Sequence, residues 1–152
     1  MLIREAQKND WPEIYQLIEN NMQAMQLALG LAWNKASILD YFMSKDVLVS
    51  IKDKALCGFI AYELRPERQI IHSLQIVAEH QNGLLGYRLF KAAFIKGNAT
   101  SLIEAEVSCR VFENNHAQQQ YFALGFKEIS KEKGILALTI PRHKLIKKLK
   151  LS

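Results

Sequence analysis

Gln81, Gly83 and Gly86 fall in the stretch QIIHSLQIVAEHQNGLLGYRLFKAAFIKGN, Gln69 to Asn98. It starts as an apolar run (Ile70, Ile71, Leu74, Ile76, Val77), crosses a polar loop and continues at helical spacing through Leu85, Leu89, Phe90 and Phe94. A strand that feeds a helix through a glycine-bearing turn suits an anion. The first N–H groups of a helix have no partner within it and the helix dipole favours negative charge, so phosphate oxygens can dock there. Glycine helps because a Cβ would crowd the approaching oxygens. The other reactive side chains are less suggestive. Ser73, Cys57 and Cys109 lack recognisable partners for nucleophilic catalysis, and the four histidines are scattered without a metal-site spacing.

The elements around this junction follow from period and punctuation. MLIREA alternates as a short strand, with Leu2 and Arg4 on one side and Ile3 and Glu5 on the other. Asp10 and Glu13 have capping-box spacing before a helix with Pro12 in its first turn and Ile14, Leu17 and Ile18 on one face. The Met-, Ala- and Leu-rich segment from Met22 is broken near Gly30 and Asn34, and a second helix spans about 35–44. VLVSI and LCGFIAYEL, joined at Asp53 and Lys54, form an antiparallel hairpin. ELRPERQ then turns into the strand of the junction, and the helix after it stops at Gly97 and Asn98. SLIEAEVSCRV places Ile103, Ala105, Val107, Cys109 and Val111 on one face of a strand and Glu104, Glu106, Ser108 and Arg110 on the other. Asn114 or Asn115 caps a helix with Ala117, Tyr121 and Leu124 on one face, Gly125 ends it, and a final hairpin turns at Lys133 and Gly134.

One domain is expected from 152 residues, about half of them hydrophobic. The net charge of +5 lies largely in the last ten residues, where four lysines alternate with Leu145, Ile146, Leu149 and Leu151. That composition reads as a solvated terminal helix, residues 143–152, following a domain of residues 1–142. Nucleic acid is not an expected partner. Cys57 and Cys109 read as buried thiols, and neither a secretory leader nor an apolar run of membrane-spanning length is seen, so a cytoplasmic protein without a membrane association is expected.

The element order resembles the GNAT superfamily of acyl-CoA-dependent N-acyltransferases, and the resemblance covers nearly the whole chain. The family's loop pattern is Gln or Arg, two residues, Gly, one residue, then Gly or Ala. Gln81 and Gly86 fill its ends, Leu84 replaces the middle glycine, and Gly83 stands one step early. NNHAQQQYFALGF is similar to the family's second pattern at Asn114, Ala117, Tyr121, Gly125 and Phe126. The resemblance implies an α/β (α+β) domain with a mixed, mostly antiparallel seven-stranded sheet and about four helices.

It also implies acetyl-CoA as cosubstrate. The expected binding residues are Leu74 and Ile76 on the strand, Gln81, Asn82, Gly83, Leu84, Leu85, Gly86 and Tyr87 at the loop, and Asn114 and Tyr121 beyond. A structural alternative is that Leu84 and Leu85 simply begin a core-facing helix. The implied reaction is direct attack of a primary amine, with an oxyanion met by a backbone N–H near Ile76. Tyr121 corresponds to the family's general acid, or else only packs. Glu106 is the first choice of base, ahead of Glu104, Glu63 and His72, while His80 is read as exposed. A catalytically silent binding or regulatory domain with a degenerate loop is the alternative function. The acceptor is unspecified, with Trp33, Tyr41 and Phe42 hinting at apolar character, and pairing of an edge strand would give a homodimer.

Overall fold

The computed structural model describes residues 1–81, 83–98 and 105–150. In chain order it contains β1 (Leu2–Glu5), α1 (Trp11–Ala28), α2 (Lys35–Met43), β2 (Asp46–Lys52), β3 (Ala55–Arg65), β4 (Arg68–Ile76) and α3 (Leu85–Asn98). These are followed by β5 (Glu106–Phe112), α4 (Ala117–Ala123), β6 (Lys127–Glu132), β7 (Ile135–Pro141) and α5 (Arg142–Lys148). The strands form one seven-stranded sheet in the order β1-β2-β3-β4-β5-β7-β6. Every described pairing is antiparallel except β4 with β5. That exception follows from connectivity: β4 returns to its neighbour through α3, and a crossover helix makes the next strand parallel. The two-residue turns at Asp53–Lys54 and Lys133–Gly134 have positive φ throughout (52°, 67°, 51° and 76°), the backbone that closes a tight hairpin.

Alternation along the strands divides the core between the two faces of the sheet. Ile14, Leu17 and Ile18 of α1 and Phe42 of α2 pack on Val47, Val49, Phe59 and Ala61. On the opposite face, Leu85, Leu89, Phe90, Ala93 and Phe94 of α3 join Ile60, Val107, Cys109, Tyr121 and Leu138. Both cysteines are buried, and burial pushes the Cys109 thiol up to about 12.

Two local readings are corrected and a third is extended. Asp10 does not cap α1. Its carboxylate accepts from both Arg4 guanidinium nitrogens at 2.7 and 3.1 Å and from the Gln7 N–H at 2.7 Å, while Glu13 accepts from the Leu56 N–H at 3.2 Å. A charged partner thus outcompetes the cap. Nor is the basic tail a solvated appendage. Leu145 of α5 and Leu149 just after it are fully buried in the larger core, while the lysines of this segment are exposed.

The third concerns Gly97, the residue before the last of α3, where glycine serves packing as well as the expected helix end. Arg142 is buried, stacks its guanidinium 4.6 Å from the Phe94 ring centre and donates to Gln69 Oε1 at 2.8 Å. Gln69 in turn donates to the Ala93 carbonyl at 2.8 Å. A Cβ at Gly97 would collide with the Gln69 side-chain oxygen and come within 2.8 Å of Arg142 Nη2. We expect Gly97→Ala to lower stability by about 2 kcal/mol in urea unfolding, because overpacking a held polar network outweighs the helix propensity of alanine.

Candidate functional site

The ladder between β4 and β5 is short. Pairing runs from Arg68 with Glu106 to Ile71 with Cys109, although β4 continues to Ile76 and β5 to Phe112. Beyond Ile71 the two strands diverge. On its other side β4 stays paired to β3 as far as Ile76 with Gly58, and the Val77 N–H donates to the Cys57 carbonyl at 2.9 Å. Main-chain groups alternate sides along a strand, so the N–H and C=O of Leu74 and Ile76 turn toward the opening. The Ile76 carbonyl is occupied by Asn21 Nδ2 and Gln81 Nε2, both at 3.0 Å, which ties α1 and the loop to the end of β4.

A bulge sets which side chains enter this opening. Ala61 pairs with Ser73 and Tyr62 with Ile71, leaving His72 as the additional residue on β4. A bulge projects two successive residues to the same side. His72 accordingly reaches Tyr41 of α2, and Ser73 reaches Met22 of α1 at 3.8 Å. After the bulge the parity reverses, and Leu74 and Ile76 join the α3 side.

A cavity of about 220 Å³ occupies the divergence, bordered by Leu74, Ala117 and Tyr121 on one side and by Met22, Tyr41, His72, Ser73, Gln75 and Arg110 on the other. Its size fits the reacting ends of substrates and is below the ~300–1,000 Å³ of pockets that enclose a whole ligand. Tyr121 is buried, with Phe126 and Phe90 edge-on at 5.3 and 6.2 Å. Burial drives its phenol far above the usual range, so it stays protonated at neutral pH. The hydroxyl makes no hydrogen bond among the described residues.

The loop before α3 presents donors. The N–H groups of Leu85, Gly86 and Tyr87 lie in the first turn of a fourteen-residue helix and have no acceptor within it. Leu84 is 75 % exposed, so its side chain leaves the loop backbone uncovered, and its carbonyl accepts the first helical bond from Arg88 at 3.0 Å. Leu85 points into the core, the packing role anticipated for it. A Cβ at Gly86 would approach Leu74 and Ile76 only at 3.8 and 3.9 Å, and one at Gly83 only the His80 carbonyl at 3.7 Å. Neither glycine has a positive φ. Neither contact demands glycine at these positions. Asn82 lies outside the described residues, as does Glu104.

Glu106 is not brought to this cavity. It sits at the paired end of β5, three residues before the ladder opens, or about 10 Å at the rise of a strand. Its carboxylate accepts from Thr139 Oγ1 at 3.1 Å. Asn114 is also displaced: it is exposed and donates to the Met25 carbonyl at 3.4 Å, whereas Asn115 lines the cavity and accepts from the N–H of Ala117, the first residue of α4, at 2.9 Å. Of the residues that hinted at an apolar acceptor, Phe42 is core, Trp33 donates to Tyr15 Oη at 2.9 Å, and Tyr41 borders the cavity beside polar groups. Arg110 was missed as a residue bordering the cavity, and Tyr41 had been read only as an apolar hint. Their positions depend on where β4 leaves β5 and on how α2 packs, and the alternation of SLIEAEVSCRV was the signal available for Arg110.

Glu63 and His72 meet next to the cavity. His72 Nε2 lies 3.0 Å from Glu63 Oε1, and Arg65 Nε donates to Glu63 Oε2 at 2.8 Å. The hydrogen bonds from Arg65 and His72 hold the Glu63 carboxyl down at about 2, so it is ionised and can only accept. The proton between the pair is therefore on Nε2, and His72 Nδ1 accepts from the Tyr41 hydroxyl at 2.5 Å. Burial lowers the His72 pKa, with Glu63 opposing it, and raises that of Tyr41.

No protein-family model matches the sequence, and no curated protein matches it significantly. Solved structures do. Ard1 from Thermoplasma volcanium superposes with a TM-score of 0.74 at 16 % identity, covering 92 % of this chain and 96 % of that one. The aminoglycoside 6'-N-acetyltransferase from Enterococcus faecium gives 0.73 at 12 % identity, covering 93 % and 97 %. The PaiA N-acetyltransferase from Thermoplasma acidophilum, in complex with coenzyme A, gives 0.70 at 16 % identity, covering 92 % and 98 %. The chain has the GNAT fold. In GNAT terms, the diverging strands are β4 and β5, and the loop between β4 and α3 is the one whose pattern was noted at Gln81 to Gly86. Among the described residues no helix is long and apolar enough to cross a membrane.

Proposed function

We propose that this protein is an N-acetyltransferase that moves an acetyl group from acetyl-CoA to a primary amine by direct attack. The observation that carries the reading is the open edge of β4, where Leu74 borders a cavity shared with Tyr121, whose protonated hydroxyl has no hydrogen-bond partner among the described residues. Neighbours of the same fold are N-acetyltransferases, and one is held with coenzyme A.

In this reading the pyrophosphate of acetyl-CoA sits at the first turn of α3, against the N–H groups of Leu84 to Tyr87, while the Gly83 N–H is held by the His80 carbonyl at 3.3 Å. Gln81 acts as a brace, donating from its side chain to the Ile76 carbonyl. The pantetheine arm runs along the open edge of β4 as an added strand would, and an N–H of that edge receives the oxyanion that develops on the thioester carbonyl. Tyr121 protonates the departing sulfur. The exposed Leu84 supports a working loop over a degenerate one, because the replaced glycine leaves the backbone donors clear.

Acetyl-CoA should raise the melting temperature progressively with the logarithm of its concentration above Kd, following the mass-action stabilisation of about 2.7 kcal/mol at a hundredfold excess over Kd. No shift at millimolar acetyl-CoA would instead support a silent GNAT-fold domain.

A further inference from the structure

Resting on the acetyltransferase reading, we infer that Tyr41, His72 and Glu63 form the proton-accepting side of the site: the acceptor amine meets the Tyr41 hydroxyl, and its proton leaves through that hydroxyl to His72. Three observations carry this assignment. Glu106, the carboxylate expected as base, stands about 10 Å back along β5 and is engaged by Thr139. Among the described residues no Asp or Glu lines the cavity, and His72 is the only lining side chain with a basic lone pair. Finally, the hydrogen bonds already run in one direction, from Tyr41 Oη to His72 Nδ1 and from His72 Nε2 to Glu63 Oε1.

The bulge at His72 is what makes this possible. In a regular strand, His72 and Ser73 would point to opposite faces. Here both point toward α1 and α2, and His72 lies across the cavity from Leu74 and Tyr121. The amine would thus enter from the α1–α2 side while the thioester occupies the other. As its nitrogen forms a bond to the thioester carbonyl carbon, its proton passes to the Tyr41 oxygen and the Tyr41 proton passes to His72 Nδ1. The carbon–sulfur bond then breaks with its electron pair on sulfur, which takes the Tyr121 proton. The resulting imidazolium keeps its second N–H on the Glu63 carboxylate, and solvent later removes one proton from His72 and returns one to Tyr121.

The groups facing this relay restore it after turnover. Lys45 lies 4.7 Å from the centre of the Tyr41 ring and 3.5 Å from Glu63 Oε1, Arg65 is bonded to Glu63, and Arg110 of β5 borders the same cavity. Lys45 and Arg65 on the Glu63 carboxylate work against a persistent imidazolium, so His72 discharges its proton readily. Tyr41 is the catalytic residue in this scheme, since it touches the amine, and Glu63 is a positioning residue that fixes the tautomer of His72.

The test is CoA thiol release from acetyl-CoA with L-lysine, glucosamine, spermidine and an alanine-initiated tripeptide as amines, comparing wild type with Tyr41→Phe and His72→Gln. Phenylalanine retains the edge-on contact with Phe42 (5.2 Å), so the first variant is structurally mild. Each variant should lose about 10- to 30-fold in kcat/KM for the accepted amine, below the ~10²–10⁴ of fully enclosed acid–base catalysis because water can substitute at an open cleft. Acetyl-CoA affinity should stay within about twofold, and His72→Gln should lose the acidic limb of the wild-type pH profile. Wild-type kcat/KM and an unaltered pH profile in both variants would overturn the relay and leave the acetyltransferase reading intact. A parallel loss of acetyl-CoA affinity would make the pair structural and overturn it too. A wild type that releases no CoA with any of these amines overturns both.

Discussion

Replacing Tyr121 with phenylalanine should reduce kcat by about 100-fold, the lower end of what a positioned acid contributes, while leaving acetyl-CoA binding within about twofold. The substitution removes one oxygen and preserves the ring that Phe90 and Phe126 hold edge-on. Because the Tyr121 hydroxyl has no hydrogen-bond partner among the described residues, its removal orphans no protein group, and stability should change by less than about 1 kcal/mol. Steady-state CoA release read beside calorimetric binding separates the alternatives. A purely packing tyrosine would leave kcat unchanged, whereas a variant that loses acetyl-CoA affinity together with turnover would place the hydroxyl in binding.

The second large effect is expected at the loop. Gly86→Asp should weaken acetyl-CoA by more than about 100-fold while leaving the fold intact. The new Cβ meets only ordinary contacts at 3.8 and 3.9 Å, and a carboxylate in the first turn of a helix interacts favourably with its dipole by about 0.3–1 kcal/mol. That same carboxylate would occupy the donors intended for the pyrophosphate and repel its charge. Unchanged or higher melting temperature together with lost affinity therefore marks position 86 as part of an anion site. Gly86→Ala, which adds bulk without charge, should lie between the variant and wild type. Equal affinity in all three would remove the first turn of α3 from the cosubstrate site.

The fold was readable because each element carried its own local signal. Alternation marked the strands, the glycines marked the ends of α3 and α4, and the apolar run followed by QNGLLG marked the junction that the site is built on. What the chain could not disclose locally was where two strands separate. The face on which Glu106 lies follows from period two, but its distance from the opening depends on the β4–β5 register, which is set by contacts thirty-eight residues apart, as between Arg68 and Glu106. The direction in which His72 points is hidden for a related reason. The bulge that turns it toward α2 is a mismatch in count between β3 and β4, invisible in either strand alone.

Other errors came from reading composition without tertiary context. Lysines in the tail suggested solvent, yet Leu145 and Leu149 are buried in the larger core, which the exposed lysines of the same segment do not prevent. Gly97 was read only as a helix stop and is also a contact surface for Gln69 and Arg142. Asp10 looked like a cap until Arg4, six residues earlier, supplied a stronger partner. At Asp10 and in the tail a short-range preference of about 1 kcal/mol yielded to packing or charge pairing that the linear sequence does not reveal.

The most direct test of the central claim is amine-dependent release of the CoA thiol from acetyl-CoA by the intact wild-type protein, with the acetylated amine identified by mass spectrometry. Saturable release that requires both acetyl-CoA and a primary amine, yields one acetylated amine for each thiol and falls about 100-fold in Tyr121→Phe is the predicted result. Protein that is saturated with acetyl-CoA yet acetylates none of a broad panel of primary amines, small-molecule and peptide alike, would contradict it.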